Sequence, residues 1–267
     1  MAKKTQGQYN HYRKWTTDQG YIFLAKDKKD AEAYLRRSAV TRRQFNKFGV
    51  AGAFAMLLPP VANALDVVEQ DVMVPTPDGE ADCYFVHPAS GAHAAVIIWP
   101  DIVSIRPAFR AMGKRLAESG YSVLVVNPYY RTARGVVVPE GKTFRDPGIR
   151  DLLMPHAQTL SPETCVSDGR AFVEYLDRQT VVDTSRKIGT TGYCMTGSYT
   201  MRLAAAIPNR IGAGGSFHGG GLATDADDSP HLLADKMKAG FLIAIAENDD
   251  ERNPEEKGLL REAFDAN

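Results

Sequence analysis

From Leu65 onward the apolar positions fall into two kinds of run, and their alternation predicts the architecture. VVEQDVMVP and ADCYFVHP are strand-like segments joined by TPDGE, a Pro/Asp/Gly turn, which predicts an antiparallel pair. AAVIIWP and YSVLVVNPYY are near-continuous apolar runs, the pattern of strands buried on both faces. Between them RPAFRAMGKRLAESG carries apolar residues at helical spacing and closes on Gly120. The pattern continues with helix SDGRAFVEYLDRQ, strand KIGTTGY, helix SYTMRLAAAI, strand IGAGGSF, helix SPHLLADKM, strand GFLIAIAE and helix NPEEKGLLREAFDA. Helices set between buried strands act as crossovers that cover both faces of a mostly parallel sheet. Residues 131 to 160, rich in Gly, Pro and Arg, keep no period, and are expected to form an excursion over the mouth of a site.

Residues 1 to 64 read differently. TRRQFNKFGVAGAFAMLLPPVANA opens on Arg42 and Arg43, passes through Lys47 into an apolar run from Phe48 to Leu58, breaks at Pro59 and Pro60, and reaches Ala62, Asn63 and Ala64. A charged region, a short apolar region and a small-x-small cleavage site follow one another in the order of an export signal. The apolar run of 11 residues is too short to span a bilayer as a helix. TRRQF resembles the twin-arginine signal, which implies the twin-arginine export machinery as a partner and a periplasmic or otherwise exported mature protein without stable membrane insertion. The division expected is therefore a leader over 1–64 and a folded body over 65–267. Residues 1 to 40, rich in Lys, Tyr and Gln, are expected to be poorly ordered.

The formal net charge is zero, but residues 1 to 64 carry 12 Lys/Arg against 4 Asp/Glu, and residues 65 to 267 carry 20 against 28. An acidic body gives no continuous attraction for a phosphate backbone, which argues against nucleic acid as a partner. The three cysteines, Cys83, Cys165 and Cys194, form no CxxC pair, so neither a structural zinc site nor a disulfide scaffold is expected. The Asp225–Asp228 run lacks calcium-loop spacing and reads as a solvated turn.

Cys194 falls where strand KIGTTGY meets the helix that follows, between Gly192 and Gly197. Small neighbours allow a sharp strand-to-helix turn that exposes the side chain, and the amide-rich helix end is expected to lower the thiol pKa unless the charge of Asp101 raises it. A buried, inert cysteine is the plainer alternative.

IIWPDI, VVNPYYR, TTGYCMTG, SFHGGGLAT and IAIAENDD, in this order, resemble the dienelactone hydrolase family of α/β-hydrolases over about residues 66 to 267. The resemblance implies a three-layer α/β-hydrolase fold and cofactor- and metal-independent opening of a lactone or cleavage of a small carboxylic ester through a cysteine nucleophile and an acyl-thioenzyme. It implies Cys194 as nucleophile, the amides of Met195 and Ile102 as oxyanion donors, and Asp249 as triad acid. Asp101 stands where the family has a glutamate near the resting cysteine, and Arg131 where an arginine meets the substrate carboxylate. Two departures are Thr196, in place of a glycine two residues after the nucleophile, and Asp101, one methylene shorter than the glutamate. The residues themselves leave plainer roles open: a helix N-cap for Asp249, with Asp250 as its rival, a solvated loop charge for Arg131, and a turn residue for Asp101.

The family's histidine is expected one strand beyond the helix that follows Asp249. The sequence reaches Asn267 with no histidine after His231, so the expectation is a sheet lacking its C-terminal strand and a triad lacking its imidazole. His218, in SFHGGG at the end of a strand, is the histidine placed at the functional edge of such a sheet, as a catalytic, substrate-facing or merely packed group. The competing reading for the whole chain is an ester- or carboxylate-binding protein that keeps the pocket without the chemistry.

Overall fold

A computed structural model describes residue 61 and residues 63 to 267 in full, and residues 3–9, 12–16 and 22–25 as backbone strands. The chain divides into two units, Met1–Pro60 and Val61–Asn267. In the first, β1 (Lys3–Tyr9), β2 (Tyr12–Thr16) and β3 (Ile22–Ala25) form an antiparallel meander. Residues 41 to 60, which hold most of the export-like signal, lie outside the described residues.

The second unit is built on a seven-stranded sheet in the order β10-β9-β8-β6-β7-β5-β4. β4 (Val67–Thr76) and β5 (Gly79–Pro88) are the hairpin that the Pro/Asp/Gly turn announces, paired antiparallel from Val67 opposite Pro88 to Thr76 opposite Gly79. β5 runs antiparallel to β7 (Ser122–Val126). From there β6 (Ala95–Trp99), β8 (Ile188–Tyr193), β9 (Ile211–Phe217) and β10 (Gly240–Ala244) are joined in parallel. The apolar runs of β6 and β7 are buried at every position because both faces of the sheet are covered.

Strand periodicity divides the core into two. Phe85, Ile97, Leu124 and Val126 point to one face, where they meet Phe172 and Leu176 of α3 (Pro162–Asp177) and Leu203 and Ala204 of α4 (Gly197–Ala206). Tyr84, Val86, Val96, Ile98, Val123 and Val125 point to the other, against Phe109 and Ala117 of α1 (Pro107–Glu118). Trp99 anchors the first face, with Phe172 and Tyr199 packed edge-on at 5.4 Å each. Helix, sheet and helix make the three layers of an α/β-hydrolase-like fold.

Four helical segments differ from the sequence pattern. α3 starts five residues before the expected SDGRAF, because Ser161 and Thr164 form a reciprocal cap and Pro162 occupies the first turn. The excursion contains α2 (Ile149–Ala157), entered from Gly148 in the left-handed region. SPHLLADKM is a 3-10 helix over Pro230–Lys236, and a short helix α5 (Glu247–Arg252) that the pattern did not give precedes the expected final helix, α6 (Glu256–Asp265). Among the described residues no helix is long and apolar enough to cross a membrane.

Candidate active site

The carboxyl ends of the parallel strands carry the chemistry. β8 ends at Tyr193, and Cys194 follows with φ 56°, a left-handed value that a non-glycine residue holds only where its surroundings impose it. The chain then makes one 3-10 turn, Cys194–Thr196, and enters α4. Two glycines make the turn possible. A Cβ on Gly192 would lie 2.1 Å from the Thr196 carbonyl oxygen, and one on Gly197 would lie 2.4 Å from Gly219 Cα.

Thr196 anchors this turn. Its buried hydroxyl accepts from the Tyr193 N–H at 3.0 Å and has the carbonyls of Trp99, Pro100 and Tyr193 at 2.9, 2.9 and 3.0 Å to receive its proton. The departure from glycine thus ties the turn at Cys194 to the end of β6. On the other side the Gly220 N–H donates to the Cys194 carbonyl at 3.3 Å.

The thiol of Cys194 is half-buried and its pKa is raised, which corrects the expectation of an acidified thiol. Burial is the largest cause, and it outweighs the acidifying Met195 N–H directed at the sulfur. The charges of Asp101 and Asp249 raise it further. Cys83 and Cys165 are fully buried with thiols pushed far up by desolvation, and neither is bonded to Cys194.

The loop after β6 stands beside this turn. Asp101 receives a forked pair from Arg106 at 2.7 and 2.8 Å and also accepts from the Val103 N–H at 3.0 Å, so its carboxylate is held within its own loop. The Ser104 N–H donates to the Asp101 carbonyl at 2.8 Å, whereas the Ile102 N–H has no backbone acceptor among the described residues. The buried Tyr129 hydroxyl donates to the Ile102 carbonyl at 2.9 Å and lies 3.6 Å from Met195 Sδ, touching both residues whose amides are candidate oxyanion donors.

Asp249 sits in the first turn of α5, with Asn248 Nδ2 on its carboxylate at 2.9 Å and Arg252 at 3.8 Å. Asp250 is turned to Lys257 at 2.6 Å, while the Asp249 charge raises the Cys194 thiol pKa.

Arg131 is engaged elsewhere. Its guanidinium pairs with Asp168 at 2.8 and 2.7 Å and with Asp78 at 2.9 and 2.6 Å, and lies 4.5 Å over the Tyr130 ring. With Asp168 only 3% exposed in its side chain, this is a buried brace between α3 and the exit of β7, with a single N–H left over.

His218 follows β9 with φ 41°. Tyr193 and Phe217 are register partners, so Cys194 and His218 leave neighbouring strands side by side. No hydrogen bond joins the Cys194 sulfur to an imidazole among the described residues. His156 of α2 bonds Thr132 at 2.9 Å and packs against the Tyr129 ring at 5.6 Å, which brings the excursion over the Tyr129, Ile102 and Met195 cluster.

No group of His, Cys, Asp and Glu among the described residues could hold a metal ion, and Asp228 of the acidic run pairs with Arg202 at 3.3 Å. A cavity of about 380 Å³ opens elsewhere, between Asp71, Asp82, Cys83 and Val136; it borders Ile105 and does not reach Cys194. Sequence pattern alone missed Tyr129, Arg106 and Asn127; the one signal was polar Asn127 at the end of an otherwise apolar strand.

The model of the dienelactone hydrolase family matches residues 81–267. A carboxymethylenebutenolidase of Rhodococcus opacus is 27% identical over 131 residues, covering 48% of this chain and 46% of that protein, so the match spans under half of the relative's length. Among solved structures, a candidate dienelactone hydrolase from Klebsiella pneumoniae superposes with TM-score 0.59 at 19% identity, covering 75% of this chain and 81% of that one. A dienelactone hydrolase-like promiscuous phosphotriesterase from metagenomic libraries gives 0.58 at 17% identity over 75% and 77%. An acetyl xylan esterase from Paenibacillus gives 0.52 at 15% identity over 80% and 82%. At these identities the structures speak for the fold alone.

Proposed function

The chain belongs to the dienelactone hydrolase family, and from that premise we propose that it cleaves a lactone or small carboxylic ester through Cys194. The observation that carries the reading is Cys194 itself, held at φ 56° on a strand-to-helix turn with the Met195 N–H directed at its sulfur. The thiolate attacks the carbonyl carbon, and the carbonyl π pair moves to oxygen. Amides at Met195 and Ile102 stabilise that oxyanion, with the largest effect where the charge develops. Collapse breaks the bond to the leaving oxygen, which takes a proton from solvent, and leaves an acyl group on Sγ; in a lactone the leaving oxygen stays tethered to the acyl chain. Attack by water on the thioester then releases the acid and restores the thiol. Asp249 supplies a carboxylate whose charge reaches the thiol, the part that orients an imidazole in nucleophile-histidine-acid systems.

One observation favours a second reading, a protein that binds esters or carboxylates without turning them over. The thiol is raised in pKa and has no imidazole bonded to it among the described residues. Rapid mixing with p-nitrophenyl acetate separates the two. The hydrolase reading expects a burst of p-nitrophenolate equal to the protein concentration, with the acetyl group on Cys194 by mass spectrometry and none on Cys194→Ala. Absence of a burst together with saturable binding of the ester would favour the binding protein.

A further inference from the structure

Asn127 follows β7 and its residue has 0% of its surface exposed. Its side-chain amide is bonded at every position. Oδ1 accepts from the Ser104 hydroxyl at 3.0 Å and from the Tyr129 N–H at 2.9 Å; Nδ2 donates to Asp82 Oδ1 at 2.8 Å and to the Ala133 carbonyl at 2.9 Å. Two donors meet Oδ1 and two acceptors meet Nδ2, so the amide has one satisfied orientation and its flip would set donor against donor.

What the amide holds is the loop beside the nucleophile. Ser104 has φ 65°, a conformation that an L side chain keeps only when neighbours enforce it, and its hydroxyl is fixed on Asn127. From that position the Ser104 N–H reaches the Asp101 carbonyl. That carbonyl shares a trans peptide unit with the Ile102 N–H, and the two groups point in opposite directions. Holding the carbonyl toward Ser104 therefore sends the Ile102 N–H out of the turn. The next peptide unit is held from the same hub, because Tyr129, whose N–H rests on Asn127, carries its hydroxyl to the Ile102 carbonyl. Both peptide units that flank Ile102 are thus fixed by residues that Asn127 fixes.

We infer that Asn127 is a positioning residue for acyl transfer: through Ser104 and Tyr129 it sets the Asp101–Ser104 turn so that the Ile102 N–H meets the oxyanion formed on Cys194. The inference rests on the hydrolase reading. It distinguishes two reactions of one sulfur. Attack on an ester carbonyl creates an oxyanion and needs the donor; displacement of iodide from iodoacetamide creates none and does not.

The test uses the full chain with Ser104→Ala, Asn127→Ala and the double variant. p-Nitrophenyl acetate burst rates and iodoacetamide labelling of Cys194 are measured in the same alkaline buffer, with thermal unfolding recorded for each protein. Ser104→Ala keeps the Tyr129, Asp82 and Ala133 bonds of Asn127, so it remains informative if Asn127→Ala fails to fold. Acylation by each folded variant is expected to slow about 10- to 100-fold, somewhat less than the loss of a whole oxyanion donor. The ester concentration for half-saturation and the alkylation rate stay within about twofold of wild type. The double variant is expected to be no slower than the slower single variant, since both cut one linkage. An unchanged ratio of acylation to alkylation in Ser104→Ala, whether both rates hold or both fall with stability, overturns the positioning role. A wild-type protein that is alkylated at Cys194 but never acylated overturns the hydrolase reading, and this inference with it.

Discussion

Cys194 stands at the head of a helix, where amide dipoles ordinarily favour a thiolate, and the Met195 N–H does act in that direction. Desolvation acts the other way and is larger, and two carboxylates add to it. The sequence made the turn legible through Gly192, Cys194 and Gly197, since only small residues fit there. The sign of the pKa shift was not legible, because burial and the approach of Asp101 and Asp249 are set by distant segments. The Arg131 ion pairs were not legible for the same reason: its partners lie 53 and 37 positions away in the chain. The prediction at this scale concerns alkylation. Iodoacetamide is expected to modify Cys194 well before Cys83 and Cys165, which are sealed in the core. A raised pKa means that the thiolate is scarce at neutral pH. The rate should climb about tenfold per pH unit and level off only above the ordinary thiol range. Asp249→Asn removes a negative neighbour, lowers the thiol pKa and shifts the curve to lower pH. Mass-resolved labelling against pH checks it; a plateau near neutral pH would show a stabilised thiolate instead.

Strands were read more faithfully than helices and loops. Each of the seven strands of the main sheet falls on a segment read as a strand, most plainly β6 and β7, buried at every position and written as continuous apolar runs. Helix starts were set by local bonds that the pattern of apolar residues does not carry, as at Ser161 and Thr164. α2 escaped notice because Pro155 lies inside it and only Ile149 and Leu153 of its nine residues are buried. The brace between elements is likewise a tertiary product. Asp168 on α3 receives Arg131 from the exit of β7 and the Tyr130 hydroxyl at 2.8 Å, and Tyr130 in turn receives the Thr76 hydroxyl at 2.7 Å. Removing one charge from a buried pair leaves its partner uncompensated, at a cost of about 3 kcal/mol or more. Asp78 remains on the outer side of Arg131, so Asp168→Asn is expected to cost about 3 kcal/mol, the lower end of that range. Chemical denaturation would show it as a lowered midpoint with an unchanged slope. A variant as stable as wild type would free Arg131 from its bracing role and restore it as a candidate for substrate.

On the scale of the whole sheet, parallel register determines which groups can meet. The alternation of strands and crossovers let the sequence place Cys194, His218 and Asp249 at one edge, because parallel strands all present their carboxyl ends there. It could not set their mutual reach, which depends on sheet twist and on loops whose partners are remote. Cys194 and His218 leave adjacent strands at the same level, both in the left-handed region, and the loop after His218 is stitched to its neighbours. The His218 N–H donates to the Ala244 carbonyl at the end of β10 at 2.7 Å, and the Gly220 N–H donates to the Cys194 carbonyl. These are backbone bonds, and they align the two chain segments without bonding imidazole to sulfur. A general base acts through a hydrogen bond to the group it deprotonates, directly or through one water. His218→Ala is therefore expected to leave both the ester burst and the slower steady-state release within about twofold of wild type, as befits a residue that shapes the loop. Loss of a working proton carrier would instead slow turnover about 100- to 10,000-fold. A fall of that size in the steady-state phase, with the burst amplitude retained, would make His218 the group that activates water for release of the acyl-thioenzyme.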